Sequence, residues 1–188
     1  MVLGERVLET ERLRMEPLSE SHAADLFPLL SDPRLYAFVP QDPPEDLEAL
    51  ASRYRFLESR RSPEGDEEWL NWAVRSKTEG NCVGTVQVTI RPDRRAQLAY
   101  EVGVPYWRRG VATEACTRLI QALFDEGILE IWAELDTRNV ASIRLLERLG
   151  FARGALRRKA DHFKGSDSNE WTYALSRPTA PRHVVMPG

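Results

Sequence analysis

Cysteine is scarce in this chain: of 188 residues only Cys82 and Cys116 are of that type. Both lie inside apolar patterns, and neither has a neighbour at metal-ligand or redox spacing. A disulfide framework, a zinc knuckle and a Cys-x-x-Cys redox motif are therefore excluded, and no metal is expected. Both cysteines read as core residues in a reducing, cytoplasmic setting. Long apolar runs are missing as well. Nothing approaches the roughly 20 residues of a membrane span, and the N-terminus lacks the apolar stretch of a signal peptide. A formal net charge of −3 gives no global attraction to nucleic acid or to a membrane surface. Neither Gly-x-x-x-x-Gly-Lys-Ser/Thr nor Gly-x-Gly-x-x-Gly occurs, which weakens a nucleotide-binding reading. No internal repeat marks a solenoid.

What is present is a globular composition, with 42% apolar and 29% charged residues. The length suits one domain with a real core, here residues 1–177, followed at 178–188 by a tail with Pro178, Pro181 and Pro187 that reads as mobile. Glu11 to Pro17 alternates like a strand, and Ser21 to Leu30 and Glu45 to Arg60 read as helices. Trp69 to Arg75 and Cys82 to Ile90 read as strands, as do Phe151 to Arg157 and Glu170 to Ser176 near the end.

The most informative stretch is Tyr106-Trp107-Arg108-Arg109-Gly110-Val111-Ala112-Thr113-Glu114-Ala115. It is a basic, glycine-bearing turn that runs into an amphipathic helix with apolar Val111, Ala115, Cys116, Leu119, Ile120 and Leu123. Such a turn delivers a helix N-terminus with free N–H groups and a partial positive charge, a ready site for phosphate. Arg108 and Arg109 add two cations, and Gly110 lets a ligand approach the backbone. Alone, this is equally a surface turn entering a core helix. Its setting adds weight. An extended run, Gln97 to Val104, precedes it and stops at Pro105. Ile128 to Leu135 reads as the next strand. Asn139-Val140-Ala141-Ser142 then opens a second helix that closes at Gly150 before Phe151.

This order of strand, basic glycine turn, helix, strand, Asn-x-x-Ser helix and Gly-Phe strand resembles the GNAT superfamily of acyl-CoA-dependent N-acyltransferases. Within it, the Ala-Thr-Glu-Ala after the loop and Asn-x-x-Ser-x-Arg-x-Leu-Glu resemble the RimJ/RimL type, which acetylates N-terminal amines of ribosomal proteins. The likeness spans about Glu9 to Leu175. It implies a mixed α/β (α+β) fold: a central, mostly antiparallel sheet flanked by helices and splayed beside the cofactor strand. It also implies acetyl-CoA as co-substrate, no metal, and transfer of an acetyl group to a primary amine.

The resemblance assigns roles to single residues. Backbone N–H groups of Arg108, Arg109, Gly110, Val111, Ala112 and Thr113 would face the pyrophosphate. Val102, Gly103 and Val104 would run beside the pantetheine arm, with Val102 and Val104 offering backbone groups. Asn139 would touch the same arm, and Ser142 would bring a hydroxyl near the thioester sulfur. Asn139 is equally a good N-cap, and the two roles are compatible. Many GNAT enzymes carry a tyrosine in this helix to protonate the leaving thiolate; the matching position is Leu146, which leaves Ser142 as the substitute. A base is needed to free the amine lone pair. Gln97 stands near the place where some members carry a glutamate and cannot take a proton. Glu101, further along that strand on the same face, and Asp161, in a segment resembling a late loop that carries an acidic base in some RimL-type enzymes, are the two candidates. His162 is a lesser one, and an amine that arrives neutral needs none. These three positions, Ser142, Glu101 and Asp161, form the expected catalytic set.

Two other readings stay open: a non-catalytic acyl-CoA binding or sensing protein on the same fold, and a different phosphate-binding α/β protein. The acceptor is a peptide N-terminus or a small amine, and the protein a monomer or homodimer. Acceptor choice would lie in the loops Ser31 to Pro44, Arg60 to Glu68 and Arg157 to Asn169.

Overall fold

The computed structural model describes residues 2–178, so the tail expected to be mobile lies, but for Pro178, outside the described residues. Eight strands form one sheet in the order β1-β2-β3-β4-β5-β6-β8-β7. In chain order they are β1 (Leu8–Glu9), β2 (Leu13–Pro17), β3 (Glu68–Ser76), β4 (Cys82–Ile90), β5 (Arg95–Val102), β6 (Glu130–Asp136), β7 (Ala152–Phe163) and β8 (Ser166–Ser176). All neighbours are antiparallel except β5 and β6. The helices among the described residues are α1 (Ala23–Leu30), α2 (Leu47–Leu57), α3 (Val111–Asp125) and α4 (Val140–Arg148), with short 3-10 turns between. The expected mixed, mostly antiparallel sheet is the fold observed. No helix of the described residues is long and apolar enough to cross a membrane.

Alternation along the strands builds two cores on opposite faces. Trp72, Val74, Val86, Val88, Leu98 and Val102 turn toward α3, where Ala115, Leu119 and Leu123 complete a buried layer. Each such fully buried leucine contributes about 1.5–3 kcal/mol of transfer free energy. On the other face Ala73 and Cys82 meet Leu26 and Leu30 of α1 and Leu50, Ala51 and Tyr54 of α2. Both cysteines are buried and unpaired, as expected of core residues.

The late region differs from the sequence reading. Where a loop was expected from Arg157 to Asn169, β7 runs on to Phe163 and β8 begins at Ser166, so only Lys164 and Gly165 turn the chain. Asp161 therefore sits in a strand, opposite Ser168, and not in a loop. The reason is that β7 is the sheet edge and is exposed almost throughout, so its sequence carries no alternation to read. Register shifts at Arg153/Leu156 and Arg157/Asp161 break the pattern further.

Candidate active site

β5 and β6 pair in parallel over three positions only, Arg95↔Glu130, Ala96↔Ile131 and Gln97↔Trp132. Beyond Gln97 they part. The Gly103 N–H bonds the Val83 carbonyl of the β4 side at 2.9 Å. Antiparallel alternation then directs the backbone groups of Glu101 and Ala99 toward β4 and those of Tyr100 and Val102 into the gap, while Leu98 still flanks the last parallel pair, Gln97↔Trp132. This is the expected splay. Of the groups assigned there, the Val102 carbonyl is already taken by the Trp107 indole N–H at 2.7 Å, and the Gly103 N–H by Val83. The outward N–H of Val102 is left as a donor, and the Val104 carbonyl accepts from the Trp107 N–H at 3.2 Å.

The chain then turns into α3. Gly110 is the helix N-cap at φ 79°, a left-handed conformation that glycine adopts without steric cost. Arg108 is left-handed too, at φ 61°. No side chain caps α3, and the first helical bond comes from the Glu114 N–H to the Gly110 carbonyl at 3.0 Å. The N–H groups of Val111, Ala112 and Thr113 thus point out of the helix end unpaired, the arrangement an anion needs. One feature opposes an anion: Glu114, a carboxylate in this same first turn. It is held off by Arg12, at 2.5 Å, and by the Thr10 hydroxyl. Burial alone would raise its pKa, but the hydrogen bonds from Thr10 and Arg12 outweigh that and lower it. Arg12 also bonds the Arg109 carbonyl at 3.1 Å. From the other side Asn81 bonds the Tyr106 hydroxyl at 2.6 Å, and Glu79 approaches Arg109 at 3.7 Å. The turn is braced by two segments distant in sequence.

At the start of α4, Asn139 acts as N-cap, its side-chain oxygen accepting from the Ser142 N–H at 3.2 Å. Its amide N–H₂ has no partner among the described residues and keeps the second role open. Leu146 is buried in the core, as a leucine there must be. A residue the sequence reading missed stands near Ser142. Tyr100 projects from the splayed part of β5 toward α3 and α4. Burial pushes its phenol up to about 12, and the nearby Ser142 pulls the other way.

Glu101, one residue on, points to the opposite face. It lines a cleft of about 200 Å³ between the sheet and the α1/α2 layer, with Tyr36, Asp42, Pro44, Arg53, Tyr54 and Thr85 among its walls. The residue is exposed to water at the cleft mouth, with the Thr85 hydroxyl and the α2 wall beside its carboxyl. Burial raises its pKa, against the pull of Arg53 and of a 3.4 Å hydrogen bond from the Thr85 hydroxyl. A carboxyl with a raised pKa at the end of a cleft is suited to proton transfer. Asp161 is not brought to this cleft: it is exposed on β7, where its carboxylate accepts from the His162 N–H at 2.7 Å. Of the three loops expected to choose the acceptor, Ser31 to Pro44 lines the cleft. The β7–β8 turn reaches that loop through Lys164, whose ammonium bonds the carbonyls of Val39 and Gln41 at 2.9 Å each.

Comparison with known proteins places this geometry. The family model described as an acetyltransferase (GNAT) domain matches residues 12–152. The chain is 23% identical over 175 residues to the uncharacterized N-acetyltransferase YoaA of Bacillus subtilis, covering 92% of this chain and 97% of that one. It is 24% identical over 132 residues to the ribosomal protein bS18 alanine N-acetyltransferase of Escherichia coli, covering 70% of this chain and 86% of the other. The fold is similar to the crystal structure of the ribosomal-protein-S5-alanine acetyltransferase from Vibrio fischeri, with a TM-score of 0.79, 19% identity and coverage of 92% and 97%.

Proposed function

The chain belongs to the GNAT acetyltransferase family, and from that premise we propose that it transfers an acetyl group from acetyl-CoA to a primary amine, the N-terminus of a protein or a small amine, by direct attack on the thioester. The free N–H groups at the start of α3 and the gap between β5 and β6 suit the group's pyrophosphate and its extended arm. When bound, acetyl-CoA supplies an activated acyl group. The N–H groups of Val111, Ala112 and Thr113, with Arg108 and Arg109, would hold its phosphates. The Val102 N–H and the Asn139 amide would line the arm. Glu101 would take the proton of the acceptor amine, and the Ser142 hydroxyl, backed by Tyr100, would give one to the leaving sulfur. Buried, unpaired cysteines suit a reducing, cytoplasmic setting.

The single observation that carries this reading is the division of consecutive β5 residues between the two faces of the sheet. Glu101, with its raised pKa, faces the acceptor cleft, while its neighbours Tyr100 and Val102 face the splay. Thiol release from acetyl-CoA against peptides and small amines tests it, together with melting in the presence of CoA, ATP or NAD. We expect turnover of at least one amine, and a melting temperature raised by CoA well beyond the effect of ATP or NAD. Stabilisation by CoA with no thiol release for any amine would leave a binding protein. Equal stabilisation by all three nucleotides would remove the pyrophosphate assignment.

A further inference from the structure

The acceptor cleft does not end at Glu101. A second concavity of about 370 Å³ adjoins it beneath α2, and the two share Arg53, Leu57, Asn71 and Gln87. The far end is lined by Phe56, Trp69, Val88 and Thr89. Phe56 and Trp69 meet edge to face with ring centres 6.3 Å apart, and Phe56 keeps 52% of its surface uncovered. Two observations show that this groove is not merely filled by its own side chains. The Tyr54 hydroxyl, in a residue only 4% exposed, has no hydrogen-bond partner. Arg53, on the wall common to both chambers, makes no ion pair with any described residue, whereas Arg55 on the same helix pairs with Glu20. A polar donor buried without a partner costs free energy that a bound ligand would recover.

We propose that the reacting amine is one end of an elongated, peptide-like acceptor whose fourth or fifth residue seats an apolar side chain in the second concavity, between Phe56 and Trp69. This rests on the reading that Glu101 marks the amine end. Thr85 lies opposite Glu101, and Thr89 floors the second chamber. The four strand steps between them span roughly 13 Å at the usual rise. An extended peptide advances about 3.3–3.6 Å per residue, so nearly four steps bring its fourth or fifth side chain to the aromatic pair. The Tyr54 hydroxyl and the side chains of Asn71 and Gln87 would meet backbone groups on the way. A compact amine would fill only the first chamber and leave the wall of Phe56, Trp69, Val88 and Thr89 uncovered.

The test is thiol release by the full chain with acetyl-CoA and a pentapeptide, Ser followed by four Gly, in which one position at a time becomes Trp or Leu. Propylamine is assayed alongside. Trp or Leu at position 4 or 5 is expected to raise kcat/KM about tenfold or more over Gly. Phe56→Ala, an exposed position on α2, should bring that ratio toward one, and Thr89→Trp, which fills the floor, should do the same from the opposite wall. Circular dichroism confirms that each variant is folded. Equal kcat/KM for all peptides, a preference confined to position 2 or 3, or a preference intact in both variants would overturn the proposal while leaving acetyl transfer standing. No acetylation of any peptide or of propylamine would overturn acetyl transfer, and this proposal with it.

Discussion

A carboxyl group crowded by protein gives up its proton later than one in water, and Glu101 is such a group. The consequence for rate and the consequence for stability run in opposite directions. As the base, Glu101 works only when ionised, so turnover should climb with pH along a limb set by its raised pKa. Glu101→Gln should lose that limb and at least roughly 100-fold in kcat. For stability, the folded-state pKa lies above the ordinary value of 4.5. The stabilisation it carries is therefore complete below that value and is lost as pH rises through the folded pKa. Glu101→Gln should melt higher than the parent at neutral pH and equally near pH 4, a difference that calorimetry at two pH values would show. Asp161→Asn, on the exposed β7, should leave the pH–rate profile intact; loss of the limb in that variant instead would move the base to the edge strand. At this scale the sequence was informative where a residue's type is itself unusual for its place. Gly110 before a helix, Asn139 three before Ser142 and a glutamate late in an apolar strand could all be read directly. Tyr54, Arg53 and Tyr100 could not. Each is an ordinary residue in an ordinary helix or strand, made significant by a neighbour far away in the chain.

The element proposed to bind the pyrophosphate is a turn, and a turn holds its shape only if something holds it. Here Arg12 and Thr10 do so from one side, Asn81 and Glu79 from the other. Arg12 has a second effect, because it offsets the Glu114 charge at the helix end where phosphate would sit. Arg12→Ala should therefore raise the KM for acetyl-CoA about two- to fivefold, the range of a charge at a helix terminus, with kcat little changed and the effect shrinking in high salt. A titration of CoA by calorimetry at two salt concentrations measures this directly. Gly110→Val should be more severe. At φ 79° a β-branched residue is strained, and its side chain would stand beside the free N–H groups. The CoA-induced rise in melting temperature should vanish, and the protein alone should melt a few degrees lower. Most elements were legible from periodicity, α3 most clearly, because it buries one face and exposes the other. The two outer halves of the β7–β8 hairpin were read as strands, but its inner part, 158–169, was not, since an edge strand wet on both faces has no period. The two braces were invisible for a different reason: they join segments about 25 and 100 residues apart, and no local pattern records such a contact.

Across the whole molecule the sheet separates two chemistries. On the proposed reading one face, with α3 and α4, would meet the cofactor; the other, with α1 and α2, would form the acceptor cleft; and β5 carries residues to both by alternation. The extension of the cleft beneath α2 was not legible in the sequence, because it depends on how α2 lies over β3 and β4.

The parting of β5 from β6 has a mechanical side. Everything from β1 to β5 is joined to β6, β8 and β7 through three parallel residue pairs, where every other strand boundary but the short β1–β2 pair has at least five. The sheet is thus two plates with a short weld, and any ligand lying in the gap lengthens the weld. Amide protons of Tyr100 and Val102 that face the gap should exchange with deuterated water much faster than those of Ala99 and Glu101, which bond β4. Adding CoA should slow the first group selectively. The two plates would then move as one body only while the co-substrate is held, and loosen when it leaves.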